Sequence, residues 1–492
     1  MNVGLSKSKI LKGLQCPKLL YYSKYPPVDF EIPPDPSREQ RLKEGTEVGI
    51  LAQQLFPGGV EVPYEGLSVS EQIARTRELM AAGQGVIYEA SFEFSGVFVK
   101  VDILVRNGLG WDIYEVKSGT KVKDENLWDV AVQHYVLGQA GLSINQAYLT
   151  HIDNSYVRRG DIDVHRLFHS EKVTAESLVR QAQVPQIISS LKMVLRGSEP
   201  DTDIGPHCSS PYECDYKPYC WQHIPESSVF NLAGRGINKF DCYYQGLISY
   251  DQLPLEQLND KQRQQVLATL NQQDSVNREA VNSFLEELWY PLCHLDFETF
   301  QSAVPLFDDI RPYQQVPFQY SIHLQHSKNA EVGHCDYLAY PGYDPRRELA
   351  EKLIADIPEN ACILTYNKSF EIGVMKNLAE FFSDLATDIN IRISNIRDLM
   401  DPFRKRDIYR WQLEGSYSIK KVLPAMVPEL TYTGLDIADG GAAMQAYHDM
   451  TATTDERQLS EIRQNLLNYC EMDTWAMVKI LDKLKTLVET LS

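Results

Sequence analysis

The sequence predicts an α/β protein in three parts, and three patterns carry that reading. A strand–turn–strand pattern at residues 98–119 runs into a helical pattern at 124–142. After residue 290 strand-like and helical stretches alternate again, and between the two regions residues 225–285 read as short helices with polar faces. The expected boundaries are 1–224, 225–285 as a helical connector, and 286–492. A chain of 492 residues suits two or three domains at ~150 residues each. Its 43% hydrophobic and 23% charged composition, without low-complexity tract or repeat, is that of folded globular material.

The amino end, MNVGLSKSKILKGLQ, lacks the apolar core of a secretory signal. No apolar run approaches the ~18 residues of a membrane span, so a cytoplasmic location without membrane contact is expected. Nine cysteines, an odd number in a long chain, argue against a disulfide framework and for ligands or buried thiols. The net charge of −19 opposes polyanion binding as an average, which leaves local basic stretches to be found.

The hairpin comes first. In FVKVDILVRNGLGWDIYEVKSG, apolar alternation on both sides of Asn107-Gly108-Leu109-Gly110 predicts two strands and a four-residue turn. Glu115 and Lys117 share a face, and a turn centred between Gly108 and Leu109 sets Asp102 opposite Glu115. Two carboxylates and an ammonium on one face can hold a hard cation and steady developing negative charge, as a phosphodiesterase requires. Further on, PHCSSPYECDYKPYC spaces Cys208, Cys214 and Cys220 with five residues in each gap. Zinc ligands usually come two to four residues apart, whereas iron–sulfur thiolates come from more irregular spacings; zinc stays the alternative. Cys242, Cys293, Cys335, Cys362 and Cys470 are scattered and read as buried small apolar residues.

Together, LSKSKILKGLQCPKLLYY, Asp102, Glu115-Val116-Lys117, Gln133 and the late cysteines resemble the RecB-like nucleases of the PD-(D/E)XK superfamily. That resemblance implies a restriction-endonuclease-like fold with Asp102, Glu115, Lys117 and Gln133 as catalytic residues. It also implies a divalent ion on Asp102, Glu115 and Glu89, and a [4Fe-4S] cluster on Cys16, Cys208, Cys214 and Cys220. Three departures stand out: EGTEVGILAQQLF has no histidine, Gln133 is followed by His134 and Tyr135, and the Cys208–Cys214 gap is wide.

In the third part, PLCHLDFETFQ puts Asp296 and Glu298 on one side of a strand. ACILTYNKSFEIGVMKNLAEF reads as a strand entering a helix that carries Glu371, and LLNYCEMDTWAMVKIL puts Tyr469 and Asp473 on one helix face. This order resembles the DnaQ-like 3′-to-5′ exonucleases of the ribonuclease H fold, with Glu371 where Asp is usual. The resemblance implies two Mg²⁺ or Mn²⁺ ions on Asp296, Glu298, Glu371 and Asp473, with Tyr469 at the attacking water. Residues 290–492, through LMDPFRKRDIYRWQLEGSYSIKKVLPAMVPELTYTGLDIADGGAA, also resemble a bacterial family of domains of unknown function often joined to a RecB-like nuclease.

Arg404, Lys405, Arg406, Arg410, Lys420 and Lys421, interleaved with Tyr409, Trp411 and Tyr417, are the expected nucleic-acid contacts. The expectation is a metal-dependent DNA nuclease with two modules, a 3′-to-5′ exonuclease on single-stranded or frayed ends in repair or phage defence. The alternative is an inactive nucleic-acid-binding or scaffold subunit.

Overall fold

The computed structural model describes residues 4–489. Residues 1–3 and 490–492, which open the first and close the third expected segment, lie outside the described residues. The chain is mixed α/β with several sheets and divides into two compact units. One takes Met1–His223 with Ser302–Gln314, the other Ile224–Gln301 with Gln315–Ser492. No helix among the described residues is long and apolar enough to cross a membrane.

The first unit is built on a seven-stranded sheet. Its strands are β1 (Leu5–Ser6), β2 (Val60–Glu61), β3 (Val86–Phe94), β4 (Val97–Asn107), β5 (Gly110–Lys117), β6 (Ile144–Ile152) and β7 (Phe168–Lys172). Strands β2 to β7 follow in that order, and β1 pairs in parallel with β4. β4 alternates as the sequence requires, burying Val97, Val99 and Val101 while Phe98, Lys100 and Asp102 face the other way. Ile103 pairs with Tyr114 and Asn107 with Gly110, so one further step in the same register brings Asp102 opposite Glu115. Helix α1 (Lys7–Gln15) leads off from β1, and helix α2 (Asp124–Gln139) joins the parallel strands β5 and β6 and packs on the sheet. α2 stops three residues short of the expected 142, where Gly141 turns to φ +93° and satisfies the closing turn.

Short as it is, β1 decides where one cation of the first unit sits. It lies along Val97 and Phe98 of β4, beyond the reach of β5 in the ladder, and passes directly into α1 with Ser6 as its cap. Lys7, the first helical residue, therefore starts at the end of β5 that carries Glu115 and Lys117.

The second unit has a five-stranded mixed sheet in the order β10-β9-β8-β11-β12. These are β8 (Leu292–Phe300), β9 (Val316–Gln325), β10 (Val332–Leu338), β11 (Cys362–Thr365) and β12 (Ile396–Asp398). The first three pair antiparallel; β11 is parallel to β8, and β12 to β11. Helices α3 (Lys368–Phe381), α4 (Ile419–Met426), α5 (Gly440–Ala452) and the 34-residue α6 (Glu456–Glu489) surround it, with α6 packed on β8 and β9. Residues 225–285, expected to be a connector, form part of this unit and carry a core of their own: Val229, Leu232, Tyr250, Leu253, Leu258 and Val266 are buried together. Their polar faces hid that core because its apolar residues are spread over short turns rather than along one amphipathic helix.

Candidate functional site

Three groups of side chains carry chemistry. In the first unit, Glu115 is almost wholly buried and receives donors from three directions. Lys7 Nζ lies 2.9 Å from Oε1 and 3.0 Å from Oε2. Lys117 Nζ donates to Oε1 at 2.5 Å, and Gln133 Nε2 to Oε2 at 2.6 Å. Asp129, one helical turn before Gln133 on α2, shares all three donors: Lys7 at 3.0 Å, Lys117 at 2.7 Å and Gln133 at 3.2 Å. Asp102 accepts the Val116 N–H at 2.7 Å. Glu89 sits in the left-handed region at φ +57°, where the β3–β4 ladder skips the Glu89–Asp102 pair, and its carboxylate meets Lys100 at 3.0 Å.

Burial, with Asp102 and Asp129 alongside, lifts Glu115 to about 7 despite its two lysines. Asp102 is raised by burial against the pull of Lys7 and Lys117. Burial acts on Asp129 too, but Lys117 and Lys7 outweigh it and hold its carboxyl below the usual range. Three carboxylates here stand against two ammoniums, so the charge is nearly balanced within the protein. Sequence reasoning missed Lys7 and Asp129. Asp129 could have been found as the residue four before Gln133 on the same helix face; Lys7 sits 108 residues from Glu115 and gave no local signal.

Cys16, Cys208, Cys214 and Cys220 line one small cavity with Lys18, Leu19, Tyr22, His207 and Tyr216. Cys16 stands at the break between α1 and the next helical turn, and Pro17 opens that turn. Three of the four thiols are buried and Cys220 is half-buried. Tyr22, Phe30, Tyr216 and Tyr219 pack edge-to-face or tilted around them. Burial raises the thiols of Cys16, Cys214 and Cys220, the last two to about 11.

The second unit gathers its own acids. Asp296, Glu298, Tyr469 and Asp473 line a cavity of about 250 Å³ with Phe297, Tyr366, Phe370, Lys420, Gly440 and Met477. Burial lifts Asp296 well above the carboxylate range, and Asp473, Glu298 and Glu371 add repulsion. Burial and then Asp473 take Glu298 to about 8. Asp473 reaches about 6 through burial, moderated by hydrogen bonds from Tyr432 and Tyr469 and by Lys420. Glu371 reaches about 8 through burial and the nearby Asp398, and its Oε2 is buried with no hydrogen-bond partner. Three carboxylates, Asp296, Glu298 and Asp473, thus line the cavity with a single ammonium, Lys420, while Glu371 lies outside the lining and adds its repulsion at Asp296.

Local structure explains the placement. Asn367 adopts φ +83° between β11 and α3, and its N–H and that of Met400 donate to Asp398 Oδ1 at 3.0 and 3.1 Å. That pins the turn from which α3 carries Glu371 inward. Asp398 and Tyr432 were not foreseen; Tyr432 donates to Asp473 Oδ1 at 2.6 Å from a stretch with no periodic pattern. Cys470 is buried as expected, and its Sγ also lies 3.8 Å from Asp296 Oδ2, because α6 presents it one turn before Asp473 toward the same strand.

Most cations of the basic stretch have partners within the chain. Arg404 and Lys405 pair with Asp401, Arg410 with Asp274 at 3.2 Å, and Lys421 with Glu414 at 3.1 Å. Arg406 donates to the Lys261 carbonyl and stacks on Tyr409. Of the six, Lys420 alone lines the carboxylate cavity, over the rings of Tyr432 and Tyr469. A charge count along the chain does not reveal which cations already have partners.

Residues 293–418 match the family described as "Domain of unknown function (DUF2779)". The matched segment includes Asp296, Glu298, Glu371 and Asp398 and ends before Lys420, Tyr469 and Asp473. The chain is similar to the uncharacterized protein MG366 homolog of Mycoplasma pneumoniae, 27% identical over 223 residues, 41% of this chain and 34% of that protein. It is also similar to the uncharacterized protein UU173 of Ureaplasma parvum, 28% identical over 245 residues, 44% of this chain and 34% of that protein. This chain therefore spans about a third of the length of these curated relatives. The solved structure described as "Crystal structure of SSO0001" aligns at a TM-score of 0.16 with 13% identity, over 43% of this chain and 95% of that one.

Proposed function

We propose that the second unit is a DnaQ-like, ribonuclease H-fold exonuclease that removes nucleotides from the 3′ ends of single-stranded or frayed DNA. The observation that carries this reading is the uncompensated carboxylate set. Asp296, Glu298 and Asp473 are buried, with Asp296 and Glu298 repelled by Asp473, while buried Glu371 adds repulsion at Asp296 and its Oε2 has no hydrogen-bond partner. Ionised, such a set is stabilised by cations, and its oxygens suit Mg²⁺ or Mn²⁺. Bound there, two ions would stabilise the attacking and leaving oxygens of an in-line displacement. The chain's own residues do the rest. Tyr469, hydrogen-bonded to Asp473, orients the attacking water beside the carboxylates, while Tyr432 holds Asp473 ionised. Lys420 faces the scissile phosphate, and Phe297, Tyr366 and Phe370 give apolar walls on which a terminal base stacks.

For the cysteines, the four thiols around one cavity in an aromatic shell fit a [4Fe-4S] cluster. Its role in this reading is structural, stapling residue 16 to residues 208–220.

The PD-(D/E)XK-like set of the first unit does not fit a resident metal as arranged. A carboxylate offers about four acceptor positions, and those of Glu115 are taken by Lys7 twice, Lys117 and Gln133. No hydrolytic step is assigned to it. Its closed charge balance favours a second reading for this unit, a nucleic-acid-binding or scaffold module beside one active nuclease. The test is an anaerobic preparation assayed with Mg²⁺ or Mn²⁺ on single-stranded, duplex and tailed DNA and on RNA. Release of mononucleotides from single-stranded 3′ ends is expected; binding without cleavage under every ion sinks the exonuclease reading.

A further inference from the structure

A second metal-binding geometry lies on the sheet of the second unit, independent of the exonuclease reading. His323 of β9 and His334 of β10 are directly opposed in the ladder, with ring centroids 4.6 Å apart. Glu471 reaches the pair from α6, and one ligand atom from each of the three lies within 4.8 Å of the others. His323 is buried, while His334 and Glu471 are open to solvent.

The hydrogen bonds around the two rings are those of ligands held ready. His323 Nδ1 meets Thr474 Oγ1 at 2.8 Å, His334 Nε2 meets Ser321 Oγ at 3.0 Å, and the two hydroxyls are 2.8 Å apart. Thr474 Oγ1 also lies 3.1 Å from the Glu471 carbonyl, which can accept its proton. With that proton so placed, Thr474 accepts from His323 Nδ1. In one assignment consistent with these contacts, His334 Nε2–H donates to Ser321 and the Ser321 hydroxyl donates to Thr474. In that state both rings are neutral and protonated on the nitrogen facing the hydroxyls, leaving Nε2 of His323 and Nδ1 of His334 with lone pairs for a ligand. Metal-binding histidines are characteristically fixed in this way through their remote nitrogen.

We infer that His323, His334 and Glu471 form a binding site for Zn²⁺ or a similar divalent transition-metal ion. Two imidazoles and a carboxylate make a zinc ligand set with the fourth position open to water, and imidazole nitrogen selects against Mg²⁺. Glu471 lies between Cys470 and Asp473, so an ion here ties α6 to β9 and β10 beside the residues that α6 contributes to the carboxylate cavity. The two sites divide the metals by chemistry, oxygen ligands for Mg²⁺ or Mn²⁺ and imidazoles for zinc.

Metal content decides the matter. The full chain, and its His334→Ala and Glu471→Ala variants, are stripped with chelator, loaded with Zn²⁺, dialysed and measured by mass spectrometry. Both altered residues are solvent-exposed, and circular dichroism checks each fold. The wild-type chain should hold one Zn²⁺ more than either variant, whatever zinc its cysteines take up, and Zn²⁺ should raise its melting temperature but not theirs. With Co²⁺, His334→Cys should regain the ion with a sulfur-to-metal charge-transfer band. Equal metal content in the wild type and His334→Ala overturns the site.

Discussion

Replacing Glu298 by Gln tests the physical basis of the carboxylate cavity, because it removes a charge while keeping the shape. Burial and Asp473 raise the Glu298 pKa from 4.5 to about 8, with Lys420 pulling the other way. A carboxyl whose folded pKa is raised contributes stability that is full below its unfolded pKa and is lost as pH rises through the folded one. Without metal, the ionised side chain therefore costs little near pH 4.5 and most above pH 8. At ~1.4 kcal/mol per pKa unit, the rise corresponds to on the order of 5 kcal/mol at pH 9 and about 1.4 kcal/mol at pH 5.5. Glu298→Gln should recover a large part of this, on the order of 2–5 kcal/mol at pH 9, as Asp296 and Asp473 lose a like-charged neighbour. Urea or thermal unfolding in chelator at pH 5.5 and 9 reads it, in the transition that Mn²⁺ shifts. With Mn²⁺ present the order should reverse, since the variant has lost a ligand. A gain at pH 9 no larger than at pH 5.5, or a loss at both, refutes mutual repulsion as the state of this cavity.

Lys7→Met should leave Glu115 and Asp129 one ammonium short and destabilise the metal-free chain by about 3–5 kcal/mol. In a background with Asp296→Asn and Asp473→Asn, electron paramagnetic resonance should detect a bound Mn²⁺ equivalent that Lys7 excludes; none bound shows Lys7 is not the obstacle. Cys16→Ser should lose iron as completely as Cys214→Ser in anaerobic preparations, and iron content untouched by Cys16→Ser removes Cys16 from the cluster. Tyr432→Phe removes the 2.6 Å hydrogen bond that favours ionised Asp473, so its pKa rises from about 6. The pH at which acidification halves Mn²⁺ binding should move up by about one unit, because protons compete with the ion for Asp473 and a hydrogen bond to a charged group is worth ~1.5 kcal/mol; an unmoved midpoint refutes the assignment.

Much of the local geometry was legible in the chain. Strict alternation around Asn107-Gly108-Leu109-Gly110 fixes both the strands and the turn, and with them the register that opposes Asp102 to Glu115. Spacing of four sets Tyr469 beside Asp473 for the same kind of reason. The residues that escaped notice depend on long-range closure. Lys7 reaches Glu115 only because a two-residue strand adds to β4, and no pattern in the LSKSK stretch announces that pairing. Tyr432 and Asp398 come from a loop and a strand end, where periodicity says nothing about direction. The partners of the basic stretch, Asp274, Asp401 and Glu414, went unnoticed because they lie in other segments or read as ordinary surface acids.

The most direct measurement tracks a 5′-labelled single-stranded oligonucleotide with Mn²⁺, comparing the intact chain with the combined Asp296→Ala and Asp473→Ala variant. The intact chain should shorten the strand stepwise from its 3′ end, and the variant should leave it whole while keeping its iron. Degradation that continues unchanged in the variant contradicts the placement of the chemistry in the second unit.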